Sequence, residues 1–143
     1  MTEKEYSVLD ELKELGLPNG SFMVMGSGIL DALGIRKAND VDLVVSSDVY
    51  AQLQDSGWSS RVASNGSQGL EHGVFQAYDS WTDETTVKKL TELLPDAEWV
   101  NGIAYNSLAK LSLYKARRGL AKDFDDLVRI NEYLLTHVPP ASS

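Results

Sequence analysis

The chain has 143 residues, a net charge of −8 and a 43% hydrophobic share, enough to bury a core without disulfides or a structural metal. With no cysteine and only two histidines, His72 and His137, it offers no disulfide scaffold, thiolate metal site, cysteine nucleophile or histidine-built metal site. Its acidity argues against a protein that coats nucleic acid.

Residues 5–15 carry Val8, Leu9, Leu12 and Leu15 at helical spacing. Leu17-Pro18-Asn19-Gly20 breaks that helix. Phe22-Met23-Val24-Met25 is a short apolar run that predicts a buried strand ending at Gly26. Ile29 to Leu33 forms a short helix closed by Gly34. Val41 to Val45 predicts a second buried strand with one carboxylate inside it. Asp48 opens a helix bearing Val49 and Leu53. Ser59 to Ala63 and Leu70 to Tyr78 read as two strands joined through Ser64-Asn65-Gly66-Ser67. Thr82 or Asp83 starts a helix bearing Val87, Leu90 and Leu94, stopped by Pro95. Trp99 to Tyr105 is a weak strand with a turn at Asn101-Gly102. Ser107 caps a helix with Leu108, Leu111 and Tyr114, and a last helix carries Phe124, Leu127, Ile130 and Leu134. The order predicts an α/β or α+β fold, a small mixed β-sheet flanked by helices. One domain is expected over residues 1–138, with a flexible tail at 139–143. No apolar run approaches the ~18 residues of a membrane span, and no signal-peptide core opens the chain, so a cytoplasmic protein without a membrane partner is expected.

The densest chemistry lies in Met25-Gly26-Ser27-Gly28 and Asn39-Asp40-Val41-Asp42-Leu43. A glycine pair around a serine leaves a strand and opens a helix, where backbone N–H groups approach an anion closely. Period-two alternation puts Asp40 and Asp42 on one face of their strand, with Val41 and Leu43 on the other. Like charges so placed are costly unless a cation lies between them. Hard oxygen donors on a strand suit Mg²⁺, which takes one or two carboxylates plus substrate phosphates. The alternative is a plain strand–helix turn, and it leaves Asp42 unexplained. A dinucleotide fingerprint is weak, because Asp31 stands where its third glycine belongs. Further along, Lys110 to Arg129 holds six basic residues against three acidic ones, a local basic stretch in an acidic chain. A solvated helix face explains it more readily than a phosphate ligand does.

Gly26-Ser27, a spacer of about a dozen residues, and Asp40-x-Asp42 heading an apolar strand together resemble the signature of the nucleotidyltransferase superfamily with the polymerase-β-like fold. Leu108-Ala-Lys110-Leu, Lys115, Arg118 and Lys122-Asp123-Phe-Asp125-Asp126-Leu127 resemble a pattern in its small members, including those related to abortive-infection toxins and to aminoglycoside nucleotidyltransferases. Here the Arg118 to Lys122 spacing is slightly longer than in that pattern. The resemblance implies transfer of a nucleoside monophosphate from a nucleoside triphosphate to an acceptor hydroxyl, with release of pyrophosphate. It implies Mg²⁺ on Asp40 and Asp42, and terminal phosphates on Gly26, Ser27 and Gly28. Lys115, with Arg118 or Lys122, would add positive charge to the triphosphate. Asp123 either orients one of these cations or begins the last helix.

Many members carry a third acid on an adjacent strand. Asp79 is the preferred candidate and Glu71 the next, while Gly73 stands where relatives carry the acid. The acceptor is open between a small molecule, an RNA end and a protein side chain. A homodimer or a partner protein is expected to complete the cleft. The rival expectation is a non-catalytic nucleotide-binding or toxin–antitoxin interaction module of the same fold. Trp58, Trp81, Trp99 and His72 are expected to pack rather than react.

Overall fold

The computed structural model describes residues 7–83 and 85–137. The tail expected at 139–143 is outside the described residues. Helix α1 (Val8–Glu14) begins at Ser7, whose side chain accepts from the Leu9 N–H. Strand β1 (Phe22–Met25) is buried along its whole length, as its unbroken apolar run requires of a central strand. It ends at Gly26, whose φ of +65° is a left-handed conformation that favours glycine. Helix α2 (Gly28–Ala32) follows at once. Gly28 cannot be larger there: a Cβ would come within 2.3 Å of Val24 Cγ1. Strand β2 (Val41–Val45) and helix α3 (Ser47–Asp55, capped by Ser46) come next.

The region after α3 departs from expectation. The strand read over Leu70 to Tyr78 is a hairpin, β4 (Gln68–His72) and β5 (Phe75–Tyr78), turning at Gly73 with φ +58°. Strand β3 (Ser59–Val62) pairs with β4. The helix read from Thr82 or Asp83 is instead a second hairpin, β6 (Trp81–Asp83) and β7 (Thr86–Lys88), followed by a single turn α4 (Leu90–Leu93). β-Branched Thr82, Thr86 and Val87 favour strand over helix, and this overrides the leucine spacing. The weak strand over Trp99 to Tyr105 folds back at Asn101-Gly102 into β8 (Glu98–Val100) and β9 (Ile103–Tyr105). Helices α5 (Leu108–Arg118) and α6 (Ala121–Thr136) complete the chain, separated by a left-handed Gly119.

Among the described residues seven strands form one mixed sheet in the order β3-β4-β5-β2-β1-β9-β8, and β6-β7 stand apart. The β1–β2 pair is antiparallel, while β1–β9 and β2–β5 are parallel. One face packs Val24, Val41, Leu43, Ala77 and Tyr105 against apolar residues of α1, α2, α3, α5 and α6. The other face packs Met23, Met25, Val44 and Ala104 under Leu90 and Leu93 of α4, with Trp81 against them. Trp58 stacks on His72 and Phe75, a packing role as expected. Helix α6 buries Asp123, Asp126 and Ile130, but leaves Phe124, Val128, Leu134 and Leu135 exposed. Among the described residues no helix is long and apolar enough to cross a membrane.

Candidate functional site

The topology gathers the chemistry at one end of the sheet. β1 and β9 run parallel and end there, and the antiparallel β2 begins there. Met25 stands opposite Asp42, Asp42 opposite Gln76, and Gln76 opposite Glu71. Residues directly across neighbouring strands share a face, so this row carries Asp42 on the Met25 and Val44 side. Asp40, exposed just ahead of β2, has the same parity.

The side-chain position of Gly26 faces the Asp42 carboxylate. A Cβ built on it would be 3.3 Å from Asp42 Oδ2. Of the expected neighbours, Gly26 therefore faces Asp42, while Gly28 faces Val24 and Tyr105 of the helix-covered core. The Ser27 side chain makes no capping bond to α2, so its hydroxyl is not spent there. Asn106, directly after β9, is 9% exposed, and its Oδ1 is buried with no hydrogen-bond partner. Its backbone N–H donates to the Val24 carbonyl, which fixes it beside the end of β1.

Burial, and then the like charge of Asp40, push the Asp42 carboxyl up to about 6, while Arg61 partly offsets the rise. Among the described residues no basic group is within 4.0 Å of either carboxylate. A half-buried carboxylate beside another, with no ion-pair partner, has the electrostatics of a divalent-cation site. The donors fit Mg²⁺ held by one or two carboxylates, with ligand oxygens completing its shell. Among the described residues no group of three or more His, Cys, Asp or Glu converges on a common point.

The strand position beside Asp42 is taken by Gln76, an amide. Gly73, expected there, is in the hairpin turn. Asp79 follows β5, and the Val44–Tyr78 pairing sets it level with the far end of β2. That is three residues beyond Asp42, or about 10 Å of strand. Its parity is that of Phe75 and Ala77, on the helix-covered face, where burial and then its charge raise the phenol of Tyr50 in α3. The structure thus does not bring Asp79 to the carboxylate pair. Glu71 shares the Asp42 face, two strands away.

The basic residues of α5 and α6 also go elsewhere. Lys115 is 3% exposed, with Nζ 2.8 Å from Asp126 and 3.6 Å from Asp123. Arg118 Nε donates to Asp123 at 2.8 Å, and Arg36 Nη2 donates to Asp126 at 2.8 Å. Asp123 also accepts from the Leu120 N–H at 3.0 Å, so it both orients Arg118 and caps α6. The Arg118 bond holds the Asp123 carboxyl well below the ordinary range. Burial would raise Asp126, but bonds from Arg36 and Lys115 outweigh it and bring that group to about 2. Lys115 and Arg118, expected to hold a triphosphate, are instead committed to carboxylates of their own chain. Apolar spacing concealed this, because a lysine at the edge of the Leu108/Leu111 stripe reads as a snorkelling surface group. Lys122 is exposed on the first turn of α6.

Two concavities of about 210 and 240 Å³ flank the sheet, one lined by Ser7, Asp31 and Tyr105 and the other by Tyr50, Gln54 and Arg61, and neither includes Asp40 or Asp42. Arg61 and Gln76 went unnoticed in the sequence, since only strand order sets them on the Asp42 face.

No protein-family model matches the chain, and no curated protein matches it. Among solved structures it is similar to a crystal structure of ANT(2'')-Ia in complex with adenylyl-2''-tobramycin, with 18% identity, a TM-score of 0.51, and coverage of 90% of this chain and 86% of that one. It is also similar to a solution structure of the antibiotic-resistance factor ANT(2'')-Ia, with 16% identity, a TM-score of 0.48, and coverage of 90% and 80%. The chain has a nucleotidyltransferase-like fold.

Proposed function

We propose that this single domain transfers a nucleoside monophosphate from a nucleoside triphosphate to an acceptor hydroxyl, with release of pyrophosphate. The observation that carries the reading is Asp42, raised by burial and by Asp40, facing the Gly26 turn so closely that a Cβ there would be 3.3 Å from its Oδ2. Asp40 and Asp42 would hold Mg²⁺, which supplies charge neutralisation at the reacting phosphate and at the leaving oxygen. Ser27 and the backbone of Gly26 to Gly28 would donate to the terminal phosphates. Gly26 lets the chain pass close to the ligand without a side chain in the way. The acceptor is a small molecule, an RNA end or a protein side chain, and the adenylyl-2''-tobramycin bound by the structural neighbour makes an aminosugar the first to try.

The test is incubation with α-labelled nucleoside triphosphates, with Mg²⁺ or with chelator, across tobramycin, RNA ends and protein acceptors. Mg²⁺-dependent pyrophosphate release with label on an acceptor, lost in Asp42→Asn, is the expected result. A second reading is a non-catalytic nucleotide-binding or interaction module. It is favoured by Gln76 in the register position beside Asp42, an amide that cannot take the acceptor proton. Mg²⁺-dependent nucleotide binding without pyrophosphate release on any acceptor would select it.

A further inference from the structure

With Lys115 and Arg118 paired to Asp126 and Asp123, two of the three cations that the sequence offers for a phosphate chain are spent, and Lys122 is exposed on the first turn of α6. Another guanidinium stands on the right face. Ser59 is opposite Glu71, in the row that runs through Gln76 to Asp42. Arg61, two residues on from Ser59, therefore has the parity of Asp42. It stands opposite Gly69, where a Cβ would be only 2.5 Å from the Tyr78 ring. The missing side chain at Gly69 leaves the arginine and the tyrosine room over the sheet. The Tyr78 phenol feels the charges of Arg61, Asp42, Glu71 and Asp40, so these groups form one electrostatic cluster.

Arg61 is poorly satisfied. Its side chain is 24% exposed, and its one ion pair among the described residues is a 3.5 Å contact from Nη1 to Glu71, itself 49% exposed. Its Nε is buried and has no hydrogen-bond partner. A planar guanidinium with unused donors, on the sheet face that carries Asp42, is suited to phosphate oxygens. The carboxylates oppose an anion there until a divalent cation offsets them, after which Arg61 adds a positive charge on that face.

We propose that Arg61 binds the phosphate chain of the nucleotide at the Asp40/Asp42 site, in the role that the sequence suggested for Lys115 and Arg118. This rests on the nucleotide reading above and adds the residue that recognises the polyphosphate. The test is calorimetric titration with ATP and with inorganic pyrophosphate, each with Mg²⁺, on the parent, Arg61→Ala and Arg129→Ala, the last a same-charge control far from the cluster in sequence. Arg61→Ala is expected to lose about 10- to 100-fold in affinity for both probes, the span of a hydrogen bond between charged groups, and Arg129→Ala to lose nothing.

Equal binding by the parent and Arg61→Ala overturns the proposal and leaves the nucleotide site standing. No Mg²⁺-dependent binding by the parent overturns the nucleotide reading and this proposal together. If Arg61→Ala does not fold, Glu71→Gln decides. Freeing the guanidinium from Glu71 is expected to tighten pyrophosphate binding a few-fold, and unchanged or weaker binding counts against the assignment.

Discussion

Lys115 Nζ is 2.8 Å from an Asp126 carboxylate oxygen, and both side chains are almost wholly withdrawn from water, at 3% and 5% exposure. Arg36 reaches the same carboxylate from the segment after α2, and Arg118 holds the neighbouring Asp123. The ions thus join α5, α6 and the lead into β2. Breaking a buried pair by removing one partner costs ~3–5 kcal/mol, because the other charge stays buried. Lys115→Met should fall at the lower end of that range, since Arg36 and Arg118 still serve the two carboxylates. Urea unfolding at neutral pH measures the loss. Nucleotide affinity, measured on the folded fraction, should be nearly unchanged, the opposite of what a phosphate-binding lysine would show.

The same network sets the acid limit of the fold. Asp126 is held at about 2 and Asp123 lower still, against 3.8 for a free aspartate. Both are depressed, so the folded state binds fewer protons than the unfolded state in this range. Their contribution is complete above pH ~4 and disappears as pH falls through the folded values. Denaturant midpoints should be flat in this contribution from pH 7 to about 5 and then drop steeply below pH ~4. In Asp126→Asn that steep segment should be shallower.

Asp42 works in the other direction. Burial and Asp40 raise it to about 6, so the folded state holds an extra proton between pH ~4 and ~6. Stability is therefore lost as pH rises through that window, the sign expected for a group retained for function rather than for the fold. Without metal, Asp42→Asn should be more stable than the parent above pH ~6. The gain should be on the order of 1–2 kcal/mol, at ~1.4 kcal/mol per pH unit discounted for partial hydration. Below pH ~4 the two proteins should unfold together. Thermal melts at pH 4 and pH 8 separate these cases. If the pair holds Mg²⁺, cation affinity should climb across pH ~6 as Asp42 ionises, read by calorimetry in buffers of different ionisation heat.

Gly26 and Gly28 should respond differently to alanine. At Gly28 the new methyl would meet Val24 Cγ1 at 2.3 Å, inside the core. Overpacking of this kind costs ~1–3 kcal/mol, so Gly28→Ala should lower the melting temperature clearly. Gly26→Ala places a methyl 3.3 Å from Asp42 Oδ2 on a φ of +65°. Its backbone cost is ~1–2 kcal/mol, and it should also weaken Mg²⁺·ATP binding, which Gly28→Ala should spare in proportion to folded protein.

Sequence alone determined the parts of this protein that depend on neighbours along the chain. The buried runs of β1 and β2, the Gly26 turn, the common face of Asp40 and Asp42 and the Ser107 cap all follow from local periodicity and capping chemistry. Tertiary structure decided what depends on which strand lies beside which. A glycine turn in the stretch from Gln68 to Tyr78 splits one apparent strand into two. That split carries Asp79 to the far end of the sheet, sets Gln76 beside Asp42, and brings Glu71 and Arg61 onto its face. It also decided the fate of the basic stretch. Residues 115, 118, 123 and 126 read as a charged helical surface, but the packing of α5 on α6 turns opposite charges toward each other and takes Lys115, Asp123 and Asp126 out of water. Composition counts charges and periodicity assigns faces, but the partner each charge meets is fixed only when two elements distant in sequence pack together.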